Sequence, residues 1–125
     1  MLFRSVATFM GEANHVRGEL DATSGSEGIL HLDALKMPIR HRNLPAGAVD
    51  VVIRPEAIRL VDAGTRGCLT ATIRTATYMG AHTEYNLDTP VGALFVIASE
   101  ALRVHAAGAR IGVQLESRGV FAVKP

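Results

Sequence analysis

The chain has little of what several protein classes require. Its one cysteine, Cys68, excludes an internal disulfide and a zinc site built from several thiolates. It has no Trp, two Tyr and four Phe, so a base-stacking surface for single-stranded nucleic acid is thinly supplied. Lys and Arg total 13 against 12 for Asp and Glu, and a net charge of +1 is too small to attract a polyanion or an anionic membrane. Nucleic acid is therefore not an expected partner.

Long apolar runs are missing too. The longest, residues 93–98, is far below the roughly 20 residues that span a bilayer, and the start of the chain lacks the pattern of a secretory signal. We therefore expect a soluble protein. A length of 125 residues suits one domain, residues 1–125, with a real core.

Sequence motifs for catalysis are not found. There is no GxxxxGK[ST] segment to hold phosphates, no GxSxG around a serine and no HExxH pair. The five histidines are scattered rather than paired at metal-binding spacing, at His15, His31, His41, His82 and His105. The sequence thus predicts no catalytic residue, no cofactor-binding residue and no metal ligand in this chain, and we expect that it is not an enzyme by itself.

Apolar and polar residues alternate with a period of two through most of the chain, and Gly, Pro, Asn and Asp separate the alternating pieces. This pattern is typical of short antiparallel strands. One helical candidate, residues 2–10, is too short to be stable alone. Nine strands are predicted, at residues 16–22, 29–35, 49–54, 57–61, 68–78, 83–88, 93–98, 110–116 and 120–123.

Two pairs of similar segments indicate that the chain consists of two related halves. GELDAT at 18–23 is echoed by GCLTAT at 67–72, and LPAGAVDVVI at 44–53 by HAAGARIGVQL at 105–115. Both pairs occur in the same order, which favours two strand sets folded against one another. We therefore predict an all-β fold, a small OB-like barrel of short antiparallel strands, with halves at 16–64 and 65–125.

The segment VVIRPEAIRL at 51–60 carries Arg54, Pro55 and Glu56 inside an apolar run. Proline cannot donate to a strand ladder, so the run should break at Pro55 and turn into a second strand. Arg54 and Glu56 then flank a corner. Two interpretations stay open: their side chains fix the corner through hydrogen bonds or an ion pair, or they form an interface with another domain or subunit. The strand before the corner should bury one face, formed by Val49, Val51 and Ile53.

Three further expectations concern local structure. Gly80, in YMGAHTEY, should occupy a turn or bulge, because a glycine inside a strand pattern usually marks a positive φ or a close backbone approach. The segment ALKMPI at 34–39 is compared with the lysine-bearing hairpin of biotinyl carriers, and strand-end packing is favoured instead. Alternate positions of two strands should share one core, namely Phe95, Ile97, Ile111, Val113 and Leu115.

Four blocks follow one another along almost the whole chain: FMGEANHVRGEL, LPAGAVDVVIRPEAIRL, YMGAHTEYNLDTPVGALFVI and AGARIGVQLESRGVFAV. They contain an F-x-G-x-x-N motif, the Arg-Pro-Glu triplet and a Y-x-G-x-x-x-E-Y motif. As a set, they resemble the C-terminal TOBE domain that follows the ATPase core in ATP-binding-cassette importers of sugars, polyamines and ferric iron.

This resemblance implies a TOBE/MOP-like accessory domain with regulatory and dimerisation roles in solute import. Residues 1–15 would connect it to an ATPase core outside this chain, and ATP and Mg would bind only there. The implied partners are that core, a second copy and, through the full-length protein, the transmembrane permease. The implied location is cytoplasmic, at the inner face of the membrane.

Two alternatives remain. A related domain in molybdate importers binds oxyanions, but its Ser-Ala-Arg-Asn-type start is replaced here by GEANHVRG at 11–18. The second alternative is an OB-type nucleic-acid binder. The sequence does not indicate the transported solute.

Overall fold

A computed structural model describes residues 13–99 and 104–125, and the helix expected at 2–10 lies outside this part of the chain. Within it, no helix is long and apolar enough to cross a membrane. The elements are β1 (Asn14–Ala22), β2 (Glu27–Leu32), β3 (Leu35–Arg40), β4 (Gly47–Ile53), a 3₁₀ turn (Pro55–Ala57), β5 (Ile58–Asp62), β6 (Leu69–Tyr78), β7 (Thr83–Thr89), β8 (Gly92–Ala98), β9 (Arg110–Leu115), a second 3₁₀ turn (Ser117–Gly119) and β10 (Val120–Val123).

The strands form two curled five-stranded antiparallel sheets, so the all-β, OB-like prediction is confirmed. The first sheet has the order β10-β4-β1-β2-β3, and the second has the order β5-β9-β6-β7-β8. Each sheet repeats the other: β1 to β4 correspond to β6 to β9. The fifth strands are exchanged, because β5 follows β4 but pairs with β9, while β10 follows β9 but pairs with β4. A boundary near residue 64 therefore does not separate the two sheets.

The pairing registers align the two repeats residue by residue. Val51 lies four residues before the first 3₁₀ turn, Pro55–Ala57, and Val113 lies four residues before the second, Ser117–Gly119, so Val51 is equivalent to Val113. Their partners Val16 on β1 and Leu69 on β6 are therefore equivalent too. The same count along the chain makes β5 equivalent to β10. It also relates the two corners, with Arg54 equivalent to Glu116 and Ala57 equivalent to Gly119.

The core is formed by alternate residues of both sheets. Val49, Val51 and Ile53 are buried on one face of β4, as predicted. Ile111 and Val113 are also buried as expected, and Leu115 packs against the core while partly exposed.

The prediction was wrong for Phe95 and Ile97. Leu94 and Val96 are the buried residues of β8, and Phe95 and Ile97 lie on the opposite face, partly buried. Every position of 93–98 is apolar, so alternation could not determine which face is inside. Pairing does: Leu94 lies opposite the buried Leu87 of β7.

The single strand predicted at 29–35 was also wrong. β2 ends at Leu32, the chain turns at Asp33 with φ of 54°, and β3 begins at Leu35. β3 contains Pro38, which cannot donate a ladder hydrogen bond. It is accommodated because β3 is an edge strand, where a residue can lack its N–H without losing a ladder bond. The described part of the chain therefore has ten strands rather than nine.

Candidate functional site

The chain passes from one sheet to the other twice, through the four-residue segments that begin at Arg54 and at Glu116. These two segments lie against each other, and we call them the crossing. The Arg54 N–H donates to the Gly119 carbonyl at 2.9 Å, and the Glu116 N–H donates to the Ala57 carbonyl at 2.8 Å. Each segment is also closed internally, by Ala57 N–H to Arg54 O at 2.9 Å and by Gly119 N–H to Glu116 O at 3.1 Å. The crossing is thus a symmetric set of main-chain hydrogen bonds.

Close packing at the crossing requires a glycine on one side. A Cβ atom on Gly119 would lie 2.5 Å from the Ala57 Cβ and 3.3 Å from the Arg54 Cβ. The Ala57 methyl group therefore occupies the space that the equivalent methyl group at Gly119 would need. The two repeats differ here because only one of the two positions can carry a side chain.

The predicted corner residues all belong to the crossing. Pro55 is buried at the start of the 3₁₀ turn, where its fixed φ suits the turn and its missing N–H is not needed. Arg54 and Glu56 are exposed, and among the described residues neither side chain has a hydrogen-bond or ion-pair partner. Main-chain bonds, rather than these charges, hold the corner. Contact of Arg54 and Glu56 with an ATPase core or a second subunit stays a prediction.

A cavity of about 350 Å³ lies between β5 and β8, the two edges of the second sheet. We call it the acidic seam, because Glu56, Asp62 and Glu116 line it against one arginine, Arg59. The Arg59 guanidinium donates to the Glu116 carboxylate at 3.2 Å. This excess of carboxylates disfavours an anion in the cavity, which counts against the oxyanion alternative at this place.

Tyr85 and His105 also line the acidic seam. Tyr85 is 1% exposed, and its hydroxyl oxygen accepts a hydrogen bond from the His105 backbone N–H at 3.0 Å. The two rings are tilted by 59° with centroids 6.0 Å apart. Thr83 lies on the same face of β7, and within the described residues its buried hydroxyl has no hydrogen-bond partner. The cavity thus combines the hydrogen-bonded Tyr85 and His105 with charged side chains in its lining.

A second cavity, of about 500 Å³, lies between β10 and β3 at the equivalent place in the first sheet. We call it the basic seam. Its lining includes one arginine, Arg40, one carboxylate, Glu27, and the half-exposed Phe121. The equivalence of the repeats gives every carboxylate of the acidic seam a basic counterpart: Arg118 for Glu56, Lys124 for Asp62 and Arg54 for Glu116. The name refers to these three exposed residues, none of which lines the cavity itself.

Asn14 connects the two sheets, a role that sequence analysis missed. Its buried amide donates to the carbonyls of Ile53, at 3.2 Å, and Phe95, at 2.8 Å. Its Oδ1 accepts the Phe95 N–H at 2.7 Å. Asn14 thereby satisfies outward-facing backbone groups of β8, which is an edge strand. The signal was its place as the last residue of the F-x-G-x-x-N motif.

Gly80 lies in the turn between β6 and β7 with φ of 96°. The turn is closed by the Met79 N–H, which donates to the His82 carbonyl at 2.8 Å. Tyr78 and Met79 are exposed at this tip. Within residues 13–99 and 104–125, no three His, Cys, Asp or Glu side chains are grouped to hold a metal ion.

Comparison with known sequences places most of these features in one family. The TOBE domain family matches residues 51–123, which contain the crossing and both exchanged strands. The Fe(3+) ions import ATP-binding protein FbpC of Agrobacterium fabrum is 32% identical over 118 residues, 94% of this chain and 33% of that protein. The spermidine/putrescine import ATP-binding protein PotA of Rubrobacter xylanophilus is 31% identical over 99 residues, 74% of this chain and 26% of that protein.

The chain thus spans about one third of the length of the curated ferric-iron relatives that it matches. A solved structure of the cytoplasmic molybdate-binding protein ModG shares the fold, with a TM-score of 0.66 over 90% of this chain and 96% of that one. Its 18% sequence identity supports a common architecture and nothing about ligands. The family match covers more than half of the chain, and the protein belongs to the TOBE domain family.

Proposed function

We propose that this chain is the accessory domain of the ATP-binding subunit of an ATP-binding-cassette importer, where it regulates and dimerises that subunit. One observation carries the proposal: ATP-binding subunits of importers match 94% of the chain, while the chain accounts for only a third of their length. An accessory domain fits these coverages, because such a domain makes up only a part of a longer ATP-binding subunit.

The chain's own chemistry agrees with a role in binding rather than catalysis. Its sequence has no phosphate loop, and nucleotide has no preorganised site without one. The proposed domain lies at the cytoplasmic face of the membrane, where ATP is hydrolysed, and it contacts the permease only through the full-length subunit. Its partners are the ATPase core and a second copy. ATP and Mg bind in the core.

Calorimetric titration of the 125-residue chain with Mg-ATP tests the first part of this proposal. We expect no saturable binding up to millimolar nucleotide. Saturable binding with one site per chain would contradict the assignment.

The second part is tested in the coding sequence and in the longer polypeptide. We expect a GxxxxGK[ST] segment upstream of Met1, and an ATPase that remains active but loses regulation and subunit pairing when residues 13–125 are removed. A matched control keeps the domain and carries Ser117→Ala, an exposed change in the second 3₁₀ turn. An unchanged rate and an unchanged oligomeric state after removal would refute the regulatory role.

A further inference from the structure

The acidic and basic seams have equivalent backbones, and three equivalent positions in or beside them carry opposite charges. Three equivalent positions change sign between the repeats: carboxylates Glu56, Asp62 and Glu116 on one side, and Arg118, Lys124 and Arg54 on the other. Within one molecule the two surfaces are fixed on either side of the crossing, so they cannot pair with each other. On two molecules they are electrostatically complementary, and complementarity of this kind sets orientation and partner choice at interfaces.

The basic seam also carries an apolar group that can act as an anchor. Phe121 and Val123 on β10 are 44% and 45% exposed, and Lys124 follows directly. The position equivalent to Phe121 in the other repeat is Arg59, so the apolar anchor is present on one side only. A buried aromatic side chain surrounded by charged residues is the usual composition of an energetically dominant contact.

The acidic seam offers a matching recess. Its cavity of about 350 Å³ is walled by the apolar side chains of Ile58, Leu60 and Ile97 beneath the carboxylates. A phenylalanine ring fits within this volume. Because Phe121 is 44% exposed, docking can bury less than half of the roughly 150–250 Å² that a whole aromatic side chain buries. The recess and the anchor therefore agree in both size and polarity.

From these features we infer that two copies of the chain associate by inserting the Phe121 edge of one copy, with its basic rim, into the acidic seam of the other. This inference rests on the proposed function, in which two copies meet, and it names the surfaces. Every copy carries both surfaces, so two such contacts related by a two-fold axis form a closed pair, whereas the same contact repeated from copy to copy would form an open chain. The association is salt-sensitive, since 1 M salt reduces the Debye length to about 3 Å.

Charge reversal on one face at a time tests the inference. One variant, Glu56→Lys with Asp62→Lys, makes both seams basic. The other, Arg118→Glu with Lys124→Glu, makes both seams acidic. All four residues are exposed, so folding is not expected to suffer. In sedimentation at micromolar concentration, we expect each variant alone to self-associate at least tenfold more weakly than the original chain, and an equimolar mixture to form a one-to-one pair.

Two controls separate surface chemistry from net charge and folding. Glu19→Lys with Asp88→Lys makes the same charge change on exposed positions outside both seams, and it should associate like the original chain. Phe121→Ser should weaken association, whereas Tyr78→Ser, at an exposed aromatic on the β6–β7 turn, should not. Thermal melting followed by circular dichroism confirms that each variant is folded.

The inference is overturned by a strictly monomeric original chain, by variants that self-associate normally, or by a mixture that does not pair. If a charge variant fails to fold, sedimentation of the original chain at about 0.1 M and about 1 M salt, together with Phe121→Ser, decides: association that is unchanged by both would refute the inference. If the 125-residue chain is monomeric but its gene encodes an ATPase core upstream, the seam contact is refuted and the proposed function stands. Saturable ATP binding would instead refute the proposed function.

Discussion

A methyl group added at Gly119 should destabilise the crossing more than a methyl group usually does. The new Cβ would lie 2.5 Å from the Ala57 Cβ, so the two segments must separate by about 1 Å to reach ordinary contact. Overpacking of this kind costs about 1–3 kcal/mol. Separation also weakens the paired main-chain bonds between Arg54 and Gly119 and between Glu116 and Ala57, each with a net contribution of roughly 0.5–1.5 kcal/mol. We expect Gly119→Ala to lower the free energy of unfolding by about 2–4 kcal/mol.

A double-mutant cycle identifies the cause. Ala57→Gly removes the opposing methyl group and should cost about 1 kcal/mol alone, because glycine gains backbone freedom on unfolding and a small cavity forms. In Gly119→Ala with Ala57→Gly, the methyl group has only moved from one repeat to the other. The double variant should therefore be at least 1 kcal/mol more stable than the sum of the single effects, the range for residues in contact.

Urea denaturation followed by circular dichroism measures all three free energies of unfolding, at a concentration low enough to avoid self-association. Ser117→Ala, in the same turn but exposed, is the matched control and should change the free energy by less than about 0.5 kcal/mol. A Gly119→Ala variant as stable as the original chain, or additive effects in the cycle, would refute the packing argument.

Three further predictions follow from single residues. Asn14→Ala leaves backbone groups of Ile53 and Phe95 without partners and should lower the free energy of unfolding by about 2–4 kcal/mol. In thermal melts, Asn14→Gln should not restore stability, because its longer side chain misplaces the amide. Gly80→Val should cost about 1–3 kcal/mol because φ is 96°, although the space around it is open; an unchanged melting temperature would contradict this. Leu94→Ala should lower the free energy of unfolding by about 2–5 kcal/mol, and Phe95→Ala should lower it distinctly less. The reverse order in urea titrations would contradict the placement of Leu94 on the inner face of β8.

Period-two alternation predicted the all-β class and most strands, because half-buried strands impose that pattern directly. It failed where the pattern does not show which face of a strand is buried. In β8 every residue is apolar, so the choice between Leu94 and Phe95 depended on pairing with β7. It also missed β3, which contains Pro38; edge position, which tolerates a proline, is a property of the sheet and not of the local sequence.

The internal repeat was visible only in part. The echo between 44–53 and 105–115 lies within one residue of the structural equivalence, which relates Val51 to Val113. The echo between 18–23 and 67–72 does not match, because the pairing registers relate Val16 to Leu69. Short matches of Gly, Ala and Thr reflect common turn and small-residue positions rather than structural equivalence. The exchange of β5 and β10 depends on which sheet edge each strand pairs with, and a local sequence pattern does not indicate that pairing.

The Arg-Pro-Glu triplet interrupts an apolar run because the chain must leave one sheet and enter the other at that point. Pro55 ends β4, and hydrogen bonds between main-chain atoms then fix both corners, so the crossing needs no particular charge at Arg54 or Glu56. Side chains freed from a structural role can diverge between repeats without loss of the fold. At three equivalent pairs the charge changes sign, since each of the three carboxylates of the acidic seam has a basic counterpart. A fold that fixes two equivalent surfaces by backbone geometry, while leaving their charges variable, can present both partners of an interface on one chain.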